Sequence, residues 1–301
     1  MGFHLSRYLA DKGYKITIVD KMTSEYCHAR SLELKGVCIY EHDICHEISD
    51  YMENVDIVVN MAAESFVDKS IKFPKKFIDS NIYGTHMMLM RAKDFKTKLF
   101  IQVSTDEVYG EAAGGRYFTE LDRLCPGNPY SASKAAADQL CLAYHRTFGI
   151  PVIIVRPENN YGTHQAGEKA IPTWINSLLN HAMIPIYGDG KHRRMWLHVE
   201  DFCSGILGII YEGEIGEIYN IGSCQEYENI EIVDMIRKEF NNPLHPIDNI
   251  PDEAARPGHD RRYAMNTEKI SEFWKATKDL KFELPKVIQW HKHHPDWMRM
   301  K

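Results

Sequence analysis

The sequence predicts an α/β fold: a doubly wound parallel sheet with a smaller C-terminal lobe interleaved with it. Three observations carry that prediction. Short β-branched runs alternate with helix-length stretches through the first 155 residues, the pattern of a parallel sheet covered on both faces. Two of those runs end in chemistry-bearing groups, Asp20 and Ser104-Thr105-Asp106-Glu107, at the carboxyl edge where such sheets bind ligands. Beyond Arg156 the alternation weakens, which divides the chain into residues 1–155 and 156–301.

Residues 1–12 read as a helix with Phe3, Leu5, Tyr8 and Leu9 on its apolar side and Gly13 as its stop. Lys15–Asp20 is a strand ending in a carboxylate, Val37–Asp43 a second, and Asp56–Ala63 a third that runs into Glu64-Ser65. A helix over 74–93 leads to the buried strand Leu99–Val103, whose end carries a hydroxyl, two carboxylates and Gly110. A Gly- and Pro-containing loop precedes a helix over 130–147, and Pro151–Val155 is again a strand. The second half predicts helices near 170–182, 200–211 and 229–240, strands at 184–187 and 217–221, an irregular stretch from Pro243 to Pro257 and a final helix over 284–294.

Bulk properties narrow the function. A net charge of −6 supplies no general attraction for nucleic acid or anionic membrane. Seven scattered cysteines without a CxxC pair predict reduced thiols in a cytoplasm, not a disulfide framework or a zinc site. No apolar run is long enough to span a bilayer. His291, His293 and His294 read as a solvated terminal helix and not as metal ligands. No metal is expected.

Tyr130 and Lys134 stand four apart at the start of a helix and so share a face. A phenol is a poor base at neutral pH unless a cation lowers its pKa, which a nearby ammonium can do. Small residues around the pair, Ser131, Ala132, Ser133 and Ala135 to Ala137, permit close approach of a cofactor or a helix. Asp20 occupies the strand-end position where a carboxylate accepts from a ribose 2′-hydroxyl, which indicates NAD over NADP, with Lys21 the one neighbour arguing the other way. Asp43-Ile44 is read two ways, as an adenine contact or as a turn.

These residues lie within segments that resemble an extended short-chain dehydrogenase/reductase, specifically the NDP-glucose 4,6-dehydratases of the dTDP-glucose type. The segments include Ala62-Ala63-Glu64-Ser65, Asn81–Thr85, Ser104–Gly110, Pro129–Lys134, Asn159–Gly162, Glu168–Pro172, Pro185–Gly188, Trp196–Asp201, Tyr219–Gly222 and Arg256–Tyr263. Many are shared with sugar-nucleotide epimerases and decarboxylases. The adjacent Asp106 and Glu107 are the discriminating feature.

The resemblance implies a Rossmann-like NAD-binding domain over 1–155 and a substrate-binding lobe over 156–301. It implies that Tyr130, with Lys134, takes the proton of the sugar 4-hydroxyl while hydride leaves C4 for NAD, with Thr105 bonded to the same oxygen. Glu107 then removes the C5 proton and Asp106 protonates the departing 6-hydroxyl, a division of labour that two adjacent carboxyls with separated pKa values can support. It further implies that Gly2, Lys21, Met22, Thr23, Ala62, Ala63, Ser80 and Asn159 line the cofactor. Ser65, Lys169, Pro185, Tyr187, Arg194, Asn220, Arg256 and His259 are implied to face the nucleotide sugar, the two arginines as forked donors to its diphosphate. A homodimer through helices about 80–92 and 130–147 is implied, as is a role in deoxysugar supply for rhamnose-like glycans.

Two departures stand out. Arg156-Pro157-Glu158 puts a carboxylate where the family has small or thiol residues, and, pointing inward, it would alter the cofactor's potential or the choice of sugar. Aligned on the family's opening Gly-x-x-Gly-x-x-Gly, Gly2 is the third glycine, and a chain beginning there is expected to bind NAD weakly. The competing readings are an epimerase, decarboxylase or 5,6-dehydratase working through the same C4-oxidised sugar, and a non-enzymatic paralogue that keeps a pocket or a dimer surface. The nucleobase is not fixed by these residues.

Overall fold

The structure, a computed structural model, describes residues 1–251 and 256–300. Its first half runs α1 Gly2–Asp11, β1 Ile16–Asp20, α2 Glu25–Glu33, β2 Val37–Glu41, β3 Ile57–Asn60, α3 Val67–Lys72, α4 Pro74–Phe77, α5 Gly84–Asp94, β4 Leu99–Val103, α6 Pro129–Phe148 and β5 Val152–Pro157. The second half adds β6 Asn159–Tyr161, α7 Ala170–Leu179, β7 Ile184–Tyr187, β8 Arg193–His198, α8 Val199–Glu212, β9 Ile218–Ile221, β10 Glu226–Glu228, α9 Asn229–Glu239, β11 Ile247–Ile250 and α10 Leu280–His293.

The strands of the first half lie in two parallel sheets. β1 pairs with β2, and β3, β4, β5 and β9 form a four-stranded sheet in that spatial order, with Val59 opposite Ile101 and Val103 opposite Val155. Because β9 comes from the second half and pairs with β5, the two halves interleave. Successive side chains of β4 point to opposite faces. Ile101 and Val103 pack with Leu5, Leu9, Phe202 and Ile206 below α1 and α8, while Phe100 packs with Leu89, Ala92 and Cys141 below α5 and α6. Cover on both sides is why β4 and β5 read as unbroken apolar runs. Each fully buried aliphatic side chain there contributes about 1.5–3 kcal/mol.

A second core joins Trp174 and Ile175 of α7, Ile184 and Ile186 of β7, Trp196 of β8, Ile232 and Ile236 of α9 and Leu284 and Ile288 of α10. Its small sheets are β6-β8-β10, with β10 antiparallel, and β7-β11.

Several elements depart from the sequence reading. The expected helix over 74–93 is broken by a π-helical turn over Ile78–Tyr83, and α5 restarts at Gly84, where a Cβ would press on Ile44. β8 escapes sequence reading because Arg193 and Arg194 precede its apolar Met195-Trp196-Leu197. The stretch read as irregular contains β11, flanked by Pro246 and Pro251, while residues 252–255 lie outside the described residues. α10 begins four residues before the predicted start, because Asp279 caps it by accepting from the Lys281 N–H at 2.8 Å. On that helix His291 is fully buried, not solvated, and burial pushes its imidazole down to about 4.

Candidate active site

The end of β4 turns sharply into the acidic stretch. Thr105 is extended and caps a 3-10 turn over Asp106–Tyr109, its Oγ1 accepting from the Glu107 N–H at 3.3 Å and donating to Asp106 Oδ1 at 3.2 Å. The turn closes at Gly110, φ +78, where a Cβ would run into the Cys125 carbonyl oxygen. Only glycine meets both demands.

α6 brings the second set of groups. Asn128 and Ser131 form a capping box, Pro129 takes the first helical position and Gly149 ends the helix in the left-handed region. Tyr130 and Lys134 therefore stand on the first turns of a well-anchored helix, and both are buried. The cap residue reaches further, donating from Nδ2 to Glu107 Oε2 at 3.4 Å. Asn81, in the π-turn, donates to Ser133 Oγ at 2.8 Å and also accepts from the Glu64 N–H at 2.8 Å, tying the loop after β3 to α6.

The two acids differ in environment. Asp106 is 4 % exposed and its Oδ2 has no hydrogen-bond partner. Burial, then the neighbouring Glu107, push its carboxyl up to about 7, while Arg194 and Thr105 pull the other way. Glu107 is only half-buried; its Oε2 accepts from Asn128 Nδ2 at 3.4 Å and lies 3.4 Å from the Tyr263 hydroxyl, which has a nearer acceptor in Asp260 Oδ2 at 2.9 Å. Burial, followed by Glu107, raises the Tyr130 phenol, against which a Thr105 hydrogen bond acts. Lys134 is held from the strand side. Its ammonium donates to the Val103 carbonyl at 2.6 Å, and burial lowers its own pKa.

Behind the turn lies a polar network that sequence reading missed. Arg156 donates from Nε to Asp138 at 3.0 Å and from Nη1 to the Tyr109 hydroxyl at 2.8 Å, and Tyr109 donates to Asn220 Oδ1 at 2.7 Å. Asp138 continues the 130/134 face by one more turn, a signal that was available. Glu158 is 2 % exposed. Its Oε2 accepts from the Ser223 N–H at 2.8 Å, its Oε1 has no partner, and a Cβ at Gly222 would overlap it. Burial pushes this carboxyl up to about 8, with Asp106 adding to the rise.

The expected cofactor residues lie along the sheet's carboxyl edge. Asp20 ends β1 and its Oδ1 accepts from the Met22 N–H at 2.7 Å, with Thr23 exposed beyond it. Lys21 is engaged by Asp43 at 2.5 Å. Burial opposes ionisation of Asp43, but the Lys21 ammonium and the Cys45 N–H hold it down at about 2. Ile44 is buried among the core residues under α5. Ala62 and Ala63 follow β3, Ser80 lies in the π-turn, and the Asn159 Oδ1 is buried without a partner. Gly2 opens α1 with free space where a Cβ would sit, beside the unpaired N–H groups of that helix's first turn. An adenine dinucleotide fits these groups: an acceptor at Asp20, donors at α1 and an unpartnered acceptor at Asn159.

The expected substrate residues divide. Lys169 donates to the Ser65 carbonyl at 2.9 Å across the cleft. Tyr187 donates to Asp68 at 3.4 Å, and the Pro185 carbonyl accepts from Trp174 Nε1 at 3.0 Å. Arg256 lies partly exposed, paired through Nε and Nη2 with Asp68 at 2.8 and 3.2 Å. Two of them are held within the protein. Asn220 is fully buried beside β9, its amide bonded to Tyr109, Phe118 and Asn266. Arg194 presents no free fork: its two Nη groups donate to the carbonyls of Arg193, Asp260 and Arg261 and contact His259 Nε2 at 2.9 Å. It acts as a buried positive charge near Asp106 and lies 4.2 Å from the Tyr263 ring centre. His259 stacks on His192 at 4.2 Å. Among the described residues, no group of three or more His, Cys, Asp or Glu side chains is placed to hold a metal, and no helix is long and apolar enough to cross a membrane.

Residues 1–222 match the model of the NAD dependent epimerase/dehydratase family. The chain is 37 % identical over 286 residues to a dTDP-glucose 4,6-dehydratase of Streptomyces antibioticus, covering 94 % of this chain and 84 % of that one. Its fold superposes with a TM-score of 0.92 on DesIV of Streptomyces venezuelae, a dTDP-glucose 4,6-dehydratase solved with NAD bound, at 32 % identity over 98 % of this chain and 95 % of that one. A UDP-glucuronic acid 4-epimerase of Bacillus cereus, solved with UDP-glucuronic acid and NAD, superposes at 0.91 with 26 % identity over 97 % and 96 % of the two chains.

Proposed function

The chain belongs to the NAD dependent epimerase/dehydratase family, and from that premise we propose that it removes water from a nucleoside-diphosphate glucose, dTDP- or UDP-linked, to give the 4-keto-6-deoxy sugar. NAD, when bound, accepts hydride from C4, returns it to C6, and adds a cationic ring that lowers the phenol beside it. The chain's own residues move the protons. Tyr130 takes the proton of the 4-hydroxyl while Thr105 holds the same oxygen. The resulting ketone acidifies the C5 hydrogen, which Glu107 removes as its carboxylate. Asp106 delivers a proton to the departing 6-hydroxyl, so that water leaves and a C5–C6 double bond forms, and Glu107 gives its proton back to C5 when C6 is reduced, which completes the 4-keto-6-deoxy sugar. Lys134 anchors α6 on β4 and stands where a ribose hydroxyl would meet it.

The single observation that carries this reading is the unequal burial of adjacent acids. Asp106, buried and held near 7, is equipped to donate, and Glu107, hydrogen-bonded in the cleft, to accept. An epimerase has no need of such a pair. Asp20 supports NAD over NADP, and the engagement of Lys21 by Asp43 removes the one cation that favoured a 2′-phosphate. The exposed Ile78, Tyr83 and Phe148 around α5 and α6 support a homodimer through those helices, which sedimentation velocity tests. Scattered free cysteines support a cytoplasmic setting.

The test is incubation with NAD⁺ and dTDP-, UDP-, CDP- or GDP-hexoses, followed by the alkali-induced absorbance of a 4-keto-6-deoxy product. A protein that binds NAD⁺ and converts none of them refutes the dehydratase reading, and a 4-epimer formed without loss of oxygen replaces it with epimerisation.

A further inference from the structure

The cleft between the loop after β3 and the second half is bridged by charge. Lys169 reaches the Ser65 carbonyl, Lys69 pairs with Glu168 at 3.1 Å, and Asp68 receives the side of the Arg256 guanidinium at 2.8 and 3.2 Å. The last pair differs from the others in its support. Arg256 lies 5.2 Å from the Tyr187 ring centre, while the Tyr187 hydroxyl donates to Asp68 Oδ2 at 3.4 Å. Both charged side chains are about one-fifth exposed, at 20 % and 23 %.

We propose that Asp68 is a built-in competitor for the substrate's diphosphate: it occupies the Arg256 fork across the cleft and yields it to diphosphate oxygens when the nucleotide sugar binds. Four points support this. The Nε–Nη2 edge of a guanidinium takes a carboxylate or a phosphate in the same planar, two-bond manner, so one edge cannot serve both. A carboxylate that still reaches solvent can be exchanged for a group of higher charge. Asp68 loses little on release, because Tyr187 still donates to it. Arg256 loses little as well, because the Tyr187 ring still supports its guanidinium. Asp68 thus sets a threshold: a monoanionic ligand gains nothing by exchange, whereas a diphosphate, with more charge and more acceptors, gains.

This inference rests on the nucleotide-sugar reading, and the experiment separates the two. Affinities of the whole chain for dTDP, UDP and inorganic pyrophosphate are measured by calorimetry for wild type, Asp68→Asn, Asp68→Ser, Arg256→Ala and the Asp68→Asn/Arg256→Ala double variant. Removal of the competitor is expected to tighten binding three- to tenfold in both Asp68 variants, and Arg256→Ala to weaken it at least tenfold. The double variant should match Arg256→Ala, since without the fork there is nothing to compete for. Unchanged or weaker binding in the Asp68 variants overturns the proposal, as does a gain that persists without Arg256. A wild type that binds pyrophosphate but no nucleoside diphosphate overturns the nucleotide-sugar reading, while the pyrophosphate series still decides the competitor. A wild type that binds none of the three overturns both.

Discussion

Replacing Glu158 by glutamine should stabilise the protein, by an amount that grows with pH. Under the Gly222-Ser223 turn the carboxyl keeps its proton up to about 8 because burial disfavours its charged form. In the unfolded chain it ionises near the ordinary 4.5. A raised folded-state value means that native stability is full below about 4.5 and drains away as pH rises to about 8, since the unfolded state gives up a proton that the native state must hold. At about 1.4 kcal/mol per pH unit the gap has a ceiling of about 5 kcal/mol. Glutamine keeps an acceptor for the Ser223 N–H, but its amide must be accommodated where Oε1 now has no partner, which subtracts about 1–3 kcal/mol. A net gain on the order of 2–3 kcal/mol at pH 8, shrinking to nothing or a small loss at pH 5, is therefore expected. Urea unfolding of both proteins across pH 5–8.5 reads it directly. A difference that is the same at pH 5 and pH 8, or a wild type more stable at pH 8, refutes the burial argument.

Other outcomes follow from the same geometry. Asp106 must be protonated to release the 6-hydroxyl, so turnover should fall as pH rises through about 7, and Asp106→Asn should cost about 10²-fold or more in dehydration rate and abolish that limb of the pH profile. Glu107→Gln should lose solvent-hydrogen exchange at the sugar C5, read by mass spectrometry in D₂O; retained exchange assigns the base elsewhere. Asp138→Asn leaves the Arg156 guanidinium buried without its counter-ion and should cost about 3–5 kcal/mol in chemical denaturation, where a loss under about 1 kcal/mol would show the pair to be dispensable. Gly110→Ala forces a side chain into the left-handed region and against the Cys125 carbonyl, and should destabilise by about 2–4 kcal/mol in the same assay.

Much of this protein was legible because its signals are local. Unbroken apolar runs mark β4 and β5, a capping residue before Pro129 marks the start of α6, and a spacing of four sets Tyr130 and Lys134 on one face. Other elements were hidden by their own composition. Two arginines mask β8, and flanking prolines make β11 look irregular, although in the sheet it needs only β7 beside it.

The sequence by itself determined the main strands of the first half, the acidic turn after β4 and the tyrosine and lysine that accompany it, since each depends on neighbours within a few residues. Tertiary structure alone decided the unequal surroundings of the two acids, with Asp106 enclosed and its carboxyl raised to about 7, and Glu107 half-buried with Asn128 donating to it. It also decided what the long polar side chains do. Arg194 and Asn220 find acceptors on segments distant in sequence, Asp260 and Asn266, and Glu158 is buried under a turn 65 residues away. An arginine or an asparagine can satisfy its donors on any acceptor within reach, and no local pattern records which acceptors the folded chain will bring there.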